Sequence, residues 1–212
     1  MQPLFVIKIG GNVIDREEDL LAFLRDLAAI DAPKILVHGG GKIATRIGEQ
    51  LGLQAQYSNG RRITDEATLD LVTMVYGGLI NKKIVAQLQS LSCNAIGLTG
   101  ADGNIVPADK RPVKDIDYGF AGDVKEDGVG AAALISLLQA GLVPVMAPLT
   151  HDGKGHMLNT NADTIASSIA VALSGQYQVR LIYCFEKKGV LQDVHDDNSV
   201  VPLITKTIYE QM

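Results

Sequence analysis

The expected architecture starts from the stretch Leu4-Phe5-Val6-Ile7-Lys8-Ile9-Gly10-Gly11. Its apolar run is rich in β-branched residues and ends at two glycines, so it predicts a buried strand closed by a turn. Further strands are predicted over 34–37, 94–99, 142–147 and 179–184, with helical patterns between them. Alternating strands and helices imply a mainly parallel sheet covered on both faces. We therefore expect an α/β protein that binds its ligands at the carboxyl ends of the strands.

The helical segments have recognisable starts. Asp15 and Glu18 form the pattern of a capping box and predict a helix to about Ile30. Thr64 or Asp65 is expected to cap a long helix that ends near Ser90. The other predictions are helices over 42–51, from Asp127 or Gly128 to Ala140 and over 162–173, an irregular stretch over 52–63, a hairpin over 104–124, a polar turn over 150–155, and a helix that begins at Thr205.

Composition excludes several classes of function. The chain has 212 residues, of which 47% are hydrophobic and 20% charged, and its net charge is −5. Without a basic excess it is not expected to bind nucleic acid or an anionic membrane surface in general. Cys93 and Cys184 form no CxxC and no disulfide framework, which indicates a reducing compartment. Neither a signal peptide nor a membrane span is predicted, so we expect a cytoplasmic protein.

Lys8 is the one charge in the apolar run 4–9. An ammonium group buried there without a partner would be costly. One interpretation is an edge strand from which the lysine reaches solvent. The other is a lysine delivered to the ligand edge of the sheet, and Gly10 and Gly11 favour it because glycines let backbone N–H groups approach an anion closely.

A second glycine cluster, His38-Gly39-Gly40-Gly41, follows the next predicted strand and precedes a helix. A plain turn rarely needs three glycines, so we expect a loop that contacts the polar head of a ligand. The pattern is neither a P-loop nor a GxGxxG fingerprint.

Two polar segments each have two interpretations. Arg61 and Arg62 are either solvated surface residues or cations that hold a carboxylate near the triglycine loop. In the segment 159–163, Asn161 can cap a helix and Asp163 can favour its first turn. Alternatively, Asp163 orders cations at a phosphate site and Asn159 contacts a substrate.

Other catalytic patterns are missing from the sequence. The four histidines have no metal-ligand spacing, there is no GxSxG motif, and neither cysteine lies in a nucleophile motif. No protein-bound metal centre is therefore predicted.

Taken together, four ordered motifs resemble those of the amino-acid kinase family, and the resemblance runs from residue 4 to about residue 205. The motifs are Ile7-Lys8-Ile9-Gly10-Gly11, His38-Gly39-Gly40-Gly41, Asn59-Gly60-Arg61-Arg62-Ile63-Thr64 and Asn159-Thr160-Asn161-Ala162-Asp163. The resemblance implies a three-layer αβα sandwich around a mainly parallel sheet. It also implies an amino-acid-binding lobe over 1–150, which includes the glycine loops, and the start of a nucleotide-binding lobe over 151–212.

The activity implied by the resemblance is transfer of the γ-phosphoryl group of ATP to the side-chain carboxylate of N-acetyl-L-glutamate, in arginine biosynthesis. Mg²⁺ would be carried on the nucleotide phosphates. Two alternatives stay open: N-succinyl-L-glutamate as the acceptor, and a non-catalytic amino-acid-binding subunit of the same fold.

Site residues follow from matching the motifs. The resemblance implies that Lys8 stabilises the transferring phosphoryl group and that Asp163 organises the catalytic lysines. Backbone N–H groups of Gly10 and Gly11 would donate to the phosphoryl group. The acceptor would contact Gly40, Gly41, Arg62 and Asn159, and the nucleotide would contact Glu186, in place of the usual Asp, and Gly189.

The resemblance also leads to expectations about the two ends of the protein. The family has a second catalytic lysine in a segment that would follow Met212, so a longer protein is expected. No helical arm precedes the first strand, and in this family such an arm accompanies hexamers and feedback by arginine. The resemblance therefore implies a homodimer that is insensitive to arginine.

Overall fold

A parallel five-stranded sheet forms the centre of the computed structural model, which describes residues 1–125, 127–193, 195–205 and 207. Its strands lie in the order β11-β1-β2-β8-β5. Every pairing between neighbouring strands is parallel. The strands are β1 (Pro3–Ile9), β2 (Lys34–His38), β5 (Ala95–Leu98), β8 (Val143–Met146) and β11 (Gln178–Cys184).

Helices cover both faces of this sheet, and this confirms the predicted αβα sandwich. One face packs on α2, α4 and α5, and the other on α6 and α7. The helices are α1 (Gly11–Asp15), α2 (Glu17–Ala29), α3 (Gly41–Gln50), α4 (Glu66–Val72), α5 (Asn81–Ser90), α6 (Ala131–Gln139) and α7 (Ala162–Leu173), and a π-helical segment (Thr73–Ile80) joins α4 to α5.

Strand β1 lies inside the sheet, between β11 and β2, and its side chains are apolar on both faces. Ile7 and Ile9 belong to the core under α2, whereas Leu4 and Val6 belong to the core under α7. This double burial is what a continuous apolar run indicates in a parallel sheet. Because β1, β2 and β11 are parallel, the turns that follow them lie at one edge of the sheet. There Gly39 N–H donates to the carbonyl of Ile9 at 3.1 Å.

Two helix starts differ from the sequence predictions. Asp15 does not cap the following helix: it ends α1, and Arg16 adopts extended backbone before α2 without a side-chain cap. Helix α6 begins at Ala131 rather than at Asp127 or Gly128, because Gly130 N–H donates to Ile105 carbonyl at 2.7 Å. The predicted cap at Asp65 is confirmed, since its carboxylate accepts from Thr68 N–H at 2.8 Å.

Within the described residues, three antiparallel hairpins lie outside the main sheet. The predicted hairpin over 104–124 is formed by β6 (Ala108–Lys110) and β7 (Gly122–Val124). Sequence analysis missed the other two, in the irregular stretch and around the predicted polar turn. They are β3 (Tyr57–Ser58) with β4 (Arg61–Arg62), and β9 (Leu149–His151) with β10 (Met157–Asn159).

Two predictions concern the later part of the chain. The helix expected from Thr205 falls largely outside the described residues. The division into lobes at residue 150 stays a prediction, and β11 from the second part pairs with β1 along its whole length. Across the described ranges, no helix has the length and apolar character needed to cross a bilayer.

Candidate active site

Lys8 makes an ion pair at the carboxyl end of strand β1. Its Nζ lies 2.9 Å from Oδ1 of Asp163, and the lysine side chain is only 16% exposed. Strand β1 has β2 on one side and β11 on the other, so the edge-strand interpretation is wrong. The structure thus places a largely buried ammonium group, with a carboxylate partner, at the edge where ligands bind in this class of sheet.

Asp163 is placed by the start of helix α7. The side chain of Asn161 caps this helix, because its Oδ1 accepts from the N–H groups of Asp163 at 2.8 Å and Thr164 at 3.0 Å. The cap holds Asp163 in the first turn, where a negative charge is favourable. The helix cap at Asn161 is therefore confirmed, and the same capped helix presents the carboxylate of Asp163 to Lys8. A phosphate site ordered by Asp163 stays a prediction.

The backbone N–H groups of Gly10 and Gly11, in the first glycine turn, differ in their hydrogen bonding. Gly10 N–H donates to the carbonyl of Cys184 at 3.0 Å, so it does not point freely at a ligand as the resemblance implied. Gly11 begins α1, and within the described part of the chain its N–H has no recorded acceptor. Gly11 is therefore the donor that remains for an anion beside Lys8.

A cavity of about 200 Å³ lies next to the triglycine loop. Its charged lining residues are both cations, Arg61 and Arg62, and the first residues of α3 and α7 also face it. Helix N-termini attract anions, so the cavity suits a ligand with negative charge. Its lining comes from residues 39–41, 57, 60–62, 76, 121, 148 and 159–162.

Arg62 is buried and tied down, so it is not the solvated residue that one interpretation expected. Only 7% of it is exposed. Its Nη2 lies 2.9 Å from the carbonyl oxygen of Gly41, 2.8 Å from Oγ1 of Thr45 and within hydrogen-bond distance of the Tyr57 hydroxyl, and these three oxygens share its two hydrogens. The Tyr76 hydroxyl also bonds to this guanidinium. Arg62 lines the cavity, where a planar fork of this kind matches a carboxylate.

The β3–β4 hairpin explains how Arg62 reaches the cavity. Asn59 and Gly60 both have positive φ, 48° and 73°, and their turn makes Tyr57 and Arg62 register partners. Asn-Gly is the preferred pair for this turn. Tyr57 was missed as a site residue although the Asn-Gly signal was present in the sequence.

Two further polar side chains complete the wall. Asn159 Nδ2 donates to Oγ1 of Thr64 at 2.9 Å, which orients its amide at the cavity. Burial raises the pKa of the Tyr76 phenol, against the opposing effect of the nearby positive charge of Arg62. Tyr76 is therefore a neutral hydroxyl group, and the sequence carried no signal that separated it from an ordinary core residue.

The two residues predicted on the nucleotide side lie away from this cavity. Glu186 is exposed just after β11, and its pKa is lowered by a hydrogen bond from its own backbone and then by one from the side chain of Asn12. Asn12 follows the first glycine turn, so Glu186 is at the same edge of the sheet. Gly189 packs under Val200, whose Cγ1 would be 2.9 Å from any added Cβ.

At one edge of a parallel αβα fold the structure joins a paired lysine, two glycine turns and a cationic cavity. This arrangement suits the transfer of a phosphoryl group to a small anionic acceptor. The chain belongs to the amino acid kinase family, whose family model matches residues 3–212. The family expected from the motifs is thus confirmed.

Comparison with individual proteins shows which members of the family this chain is similar to. The chain is 61% identical to the acetylglutamate kinase of Cytophaga hutchinsonii over 100% of its own length and 80% of that protein. It is 59% identical to the acetylglutamate kinase of Bacteroides thetaiotaomicron, over 99% of the chain and 81% of that protein. Among solved structures, it superposes with a TM-score of 0.75 on N-acetylglutamate synthase from Neisseria gonorrhoeae in complex with coenzyme A and N-acetyl-glutamate, at 26% identity over 90% of this chain and 43% of that one.

Proposed function

We propose that the chain transfers the γ-phosphoryl group of ATP to the side-chain carboxylate of N-acetyl-L-glutamate. The observation that carries the proposal is the position of the Lys8–Asp163 pair beside a cavity whose charged residues are both arginines. The relatives named acetylglutamate kinase favour the acetyl group over succinyl, and they favour an enzyme over a binding subunit.

The acceptor fits the charge of the cavity. N-acetyl-L-glutamate carries two carboxylates at neutral pH. Arg62, which lines the cavity and whose Nη2 is bonded to protein groups, would hold the α-carboxylate with its guanidinium. Gly40, Gly41 and Asn159 line the same cavity and would contact the rest of the acceptor.

The chemical step needs positive charge more than it needs a base. A side-chain carboxylate with a pKa of roughly 4.3 is already ionised at neutral pH, so no proton has to be removed. The difficulty is the approach of one anion to another. Lys8 and the free N–H of Gly11 would stabilise the charge that develops on the transferring group. Asp163 would hold the Lys8 ammonium in place.

The side chains that could bind a metal ion in this protein are compatible with Mg²⁺ held by the phosphates of the nucleotide. Across the described ranges there is no group of three His, Cys, Asp or Glu side chains able to cage a metal ion. Mg²⁺ characteristically binds substrate phosphates with few protein ligands. When bound, it neutralises phosphate charge. Glu186 and Gly189 remain the proposed contacts on the nucleotide side.

The same proposal covers the cellular setting. The product, an acyl phosphate of N-acetyl-L-glutamate, would be an intermediate in arginine biosynthesis. The enzyme would act in the cytoplasm as a homodimer. Size-exclusion chromatography with light scattering tests the dimer, and a hexamer would overturn it.

Trapping of the acyl phosphate with hydroxylamine tests the activity. The protein is incubated with MgATP and, in parallel, N-acetyl-L-glutamate, N-succinyl-L-glutamate or L-aspartate. Hydroxamate is expected with the acetyl compound, and product only with another acceptor would overturn the proposal. Lys8→Arg should lose at least about 100-fold in kcat, since one well-placed electrostatic group contributes that much. The matched control, Lys83→Arg on the exposed surface of α5, should keep full activity.

A further inference from the structure

His38 is a buried histidine for which the proposed chemistry has no use. It ends β2 with an exposed fraction of 0%. Its Nδ1 lies 2.7 Å from the carbonyl oxygen of Gly39. A carbonyl only accepts hydrogen bonds, so Nδ1 must carry the proton and Nε2 must be an acceptor. Burial lowers the pKa of His38 to about 4, which keeps the ring neutral.

Asn81 selects this tautomer from the other side of the ring. Its Nδ2 is 3.2 Å from Nε2 of His38 and donates to the carbonyl of Val145 at 2.9 Å. A flipped amide would place its oxygen against the Val145 carbonyl, so the orientation is determined. Oδ1 of Asn81 is buried without a hydrogen-bond partner among the described residues, a cost that the two donated bonds offset.

The bonded carbonyl orients the next peptide group. In a trans peptide the C=O and N–H point in opposite directions, and the described chain contains no cis peptide. With its oxygen held by His38, the Gly39–Gly40 peptide turns its N–H away from His38. Gly40 lines the acceptor cavity, and no acceptor for its N–H is recorded in the ranges that the structure covers.

The π-helical segment supports the same peptide from behind. Gly40 has a φ of 153°, and a Cβ added there would lie 2.5 Å from Cδ1 of Ile80 and 3.1 Å from the Tyr76 ring. Tyr76 and Ile80 belong to the π-helical segment, and Asn81 follows it directly. π-Helical turns are frequent at functional sites, where they shift the register of side chains.

We propose that His38 and Asn81 are positioning residues that aim the Gly40 N–H at an oxygen of the acceptor. Asn81 holds His38 in one neutral tautomer, His38 holds the Gly39 carbonyl, and the peptide then presents its donor to the cavity. The role rests on the proposed function, because it presupposes that the acceptor binds in this cavity.

The decisive variant reverses the tautomer with little change in shape. In Asn81→Asp an oxygen replaces Nδ2, so Nε2 of His38 becomes the donor. The kinetics are measured at a pH where the spectra show a single proton on the ring, so that Nδ1 no longer bonds the Gly39 carbonyl. We expect the KM for N-acetyl-L-glutamate to rise about tenfold, the effect of losing one good hydrogen bond, and the KM for ATP to stay within about twofold. Long-range ¹H–¹⁵N spectra should show the proton on Nδ1 in the parent protein and on Nε2 in the variant.

A second variant separates positioning from general support of the fold. His38→Asn keeps a donor near the position of Nδ1 and should recover most of the acceptor affinity, whereas His38→Leu should not. If His38→Leu does not fold, the Asn81→Asp and His38→Asn pair still tests the proposal. The matched control is Asn94→Asp, an exposed amide whose Oδ1 accepts from Gln89.

The outcomes distinguish the two proposals. A parent protein that forms no hydroxamate from N-acetyl-L-glutamate overturns the proposed function itself. An active parent whose Asn81→Asp variant changes both KM values equally, or neither, overturns the positioning role. So does a parent protein with the proton of His38 on Nε2.

Discussion

Tyr57 and Arg62 face each other across the β3–β4 hairpin, and the Tyr57 hydroxyl accepts a hydrogen bond from the Arg62 guanidinium. The guanidinium carbon also lies 4.8 Å from the centre of the Tyr57 ring. Tyr57 is half exposed, yet it holds the cation that we assign to the α-carboxylate of the acceptor. A residue on the rim of the site thus restricts the side chain at its centre.

Tyr57→Phe should weaken binding of the acceptor without slowing the chemistry. The substitution keeps the ring over Arg62 and removes one acceptor from Nη2, a loss of roughly 1 kcal/mol. We expect a three- to tenfold higher KM for N-acetyl-L-glutamate and an unchanged kcat, measured by steady-state kinetics. Tyr177→Phe, away from this cavity, is the control, and a kcat that falls with Tyr57→Phe would contradict the assignment.

Asp163→Asn should lower kcat rather than raise the KM for the acceptor. The amide keeps the shape of the side chain but withdraws the charge that faces the Lys8 ammonium at 2.9 Å. We expect kcat to fall by about 100-fold, because Lys8 would no longer be held at the transferring group. Asp26→Asn, an exposed change on α2, should leave the rate unaltered. An equal loss in both variants would point to impaired folding instead.

Buried His38 should make the protein less stable in mild acid. Its pKa is about 4 in the folded state, against 6.5 for the unperturbed side chain. The unfolded chain therefore binds more protons than the folded one between these values, and stability falls as the pH drops below about 6.5.

The contribution of His38 to the free energy of unfolding can be measured by comparing the parent protein with a His38 variant. Between about pH 7.5 and pH 5, His38 should account for a loss of roughly 2 kcal/mol in the free energy of unfolding. Urea denaturation of the parent and of His38→Asn at both pH values isolates this contribution, since other groups cancel. Identical pH dependence in the two proteins would show that His38 is not buried and neutral.

Gly97→Ala should destabilise the fold through Asn81. A Cβ at position 97 would lie 1.9 Å from Oδ1 of Asn81, which is itself 1% exposed. Relief requires movement of Asn81 or of the strand, at about 1–3 kcal/mol. At Gly175 no atom lies within 4 Å of an added Cβ, so Gly175→Ala should be nearly neutral. Equal thermal stability of the two variants would contradict the packing described around Asn81.

Much of the fold can be predicted from short-range sequence patterns. The apolar run through Lys8, the two glycine clusters and the caps at Asp65 and Asn161 predict strands, turns and helix starts from neighbouring residues alone. The start of α6 could not be predicted this way, because Gly130 is held by a carbonyl 25 positions earlier in the chain, at Ile105. Local propensity does not contain such a bond.

The residues of the candidate site also fall into two groups, those that the sequence predicts and those that depend on distant contacts. Lys8 and the triglycine loop stand out in the sequence because a charge in an apolar run and three glycines in a row are unusual. Tyr76 and Asn81 do not, because their segment looks like any amphipathic helix. Their roles come from the π-helical register and from contacts with residues 36 or more positions away.

The parallel pairing of β1 with β11 has a consequence for the synthesis of the protein. Pro3 pairs with Gln178, so one side of strand β1 stays unpaired until residues translated about 175 positions later become available. At ordinary elongation rates of 5–20 residues per second, this interval lasts roughly 10 to 35 seconds. During that time an apolar strand with unpaired backbone groups is open to other nascent chains. Emergence of residues 178–184 from the ribosome is therefore the event that closes this route to aggregation.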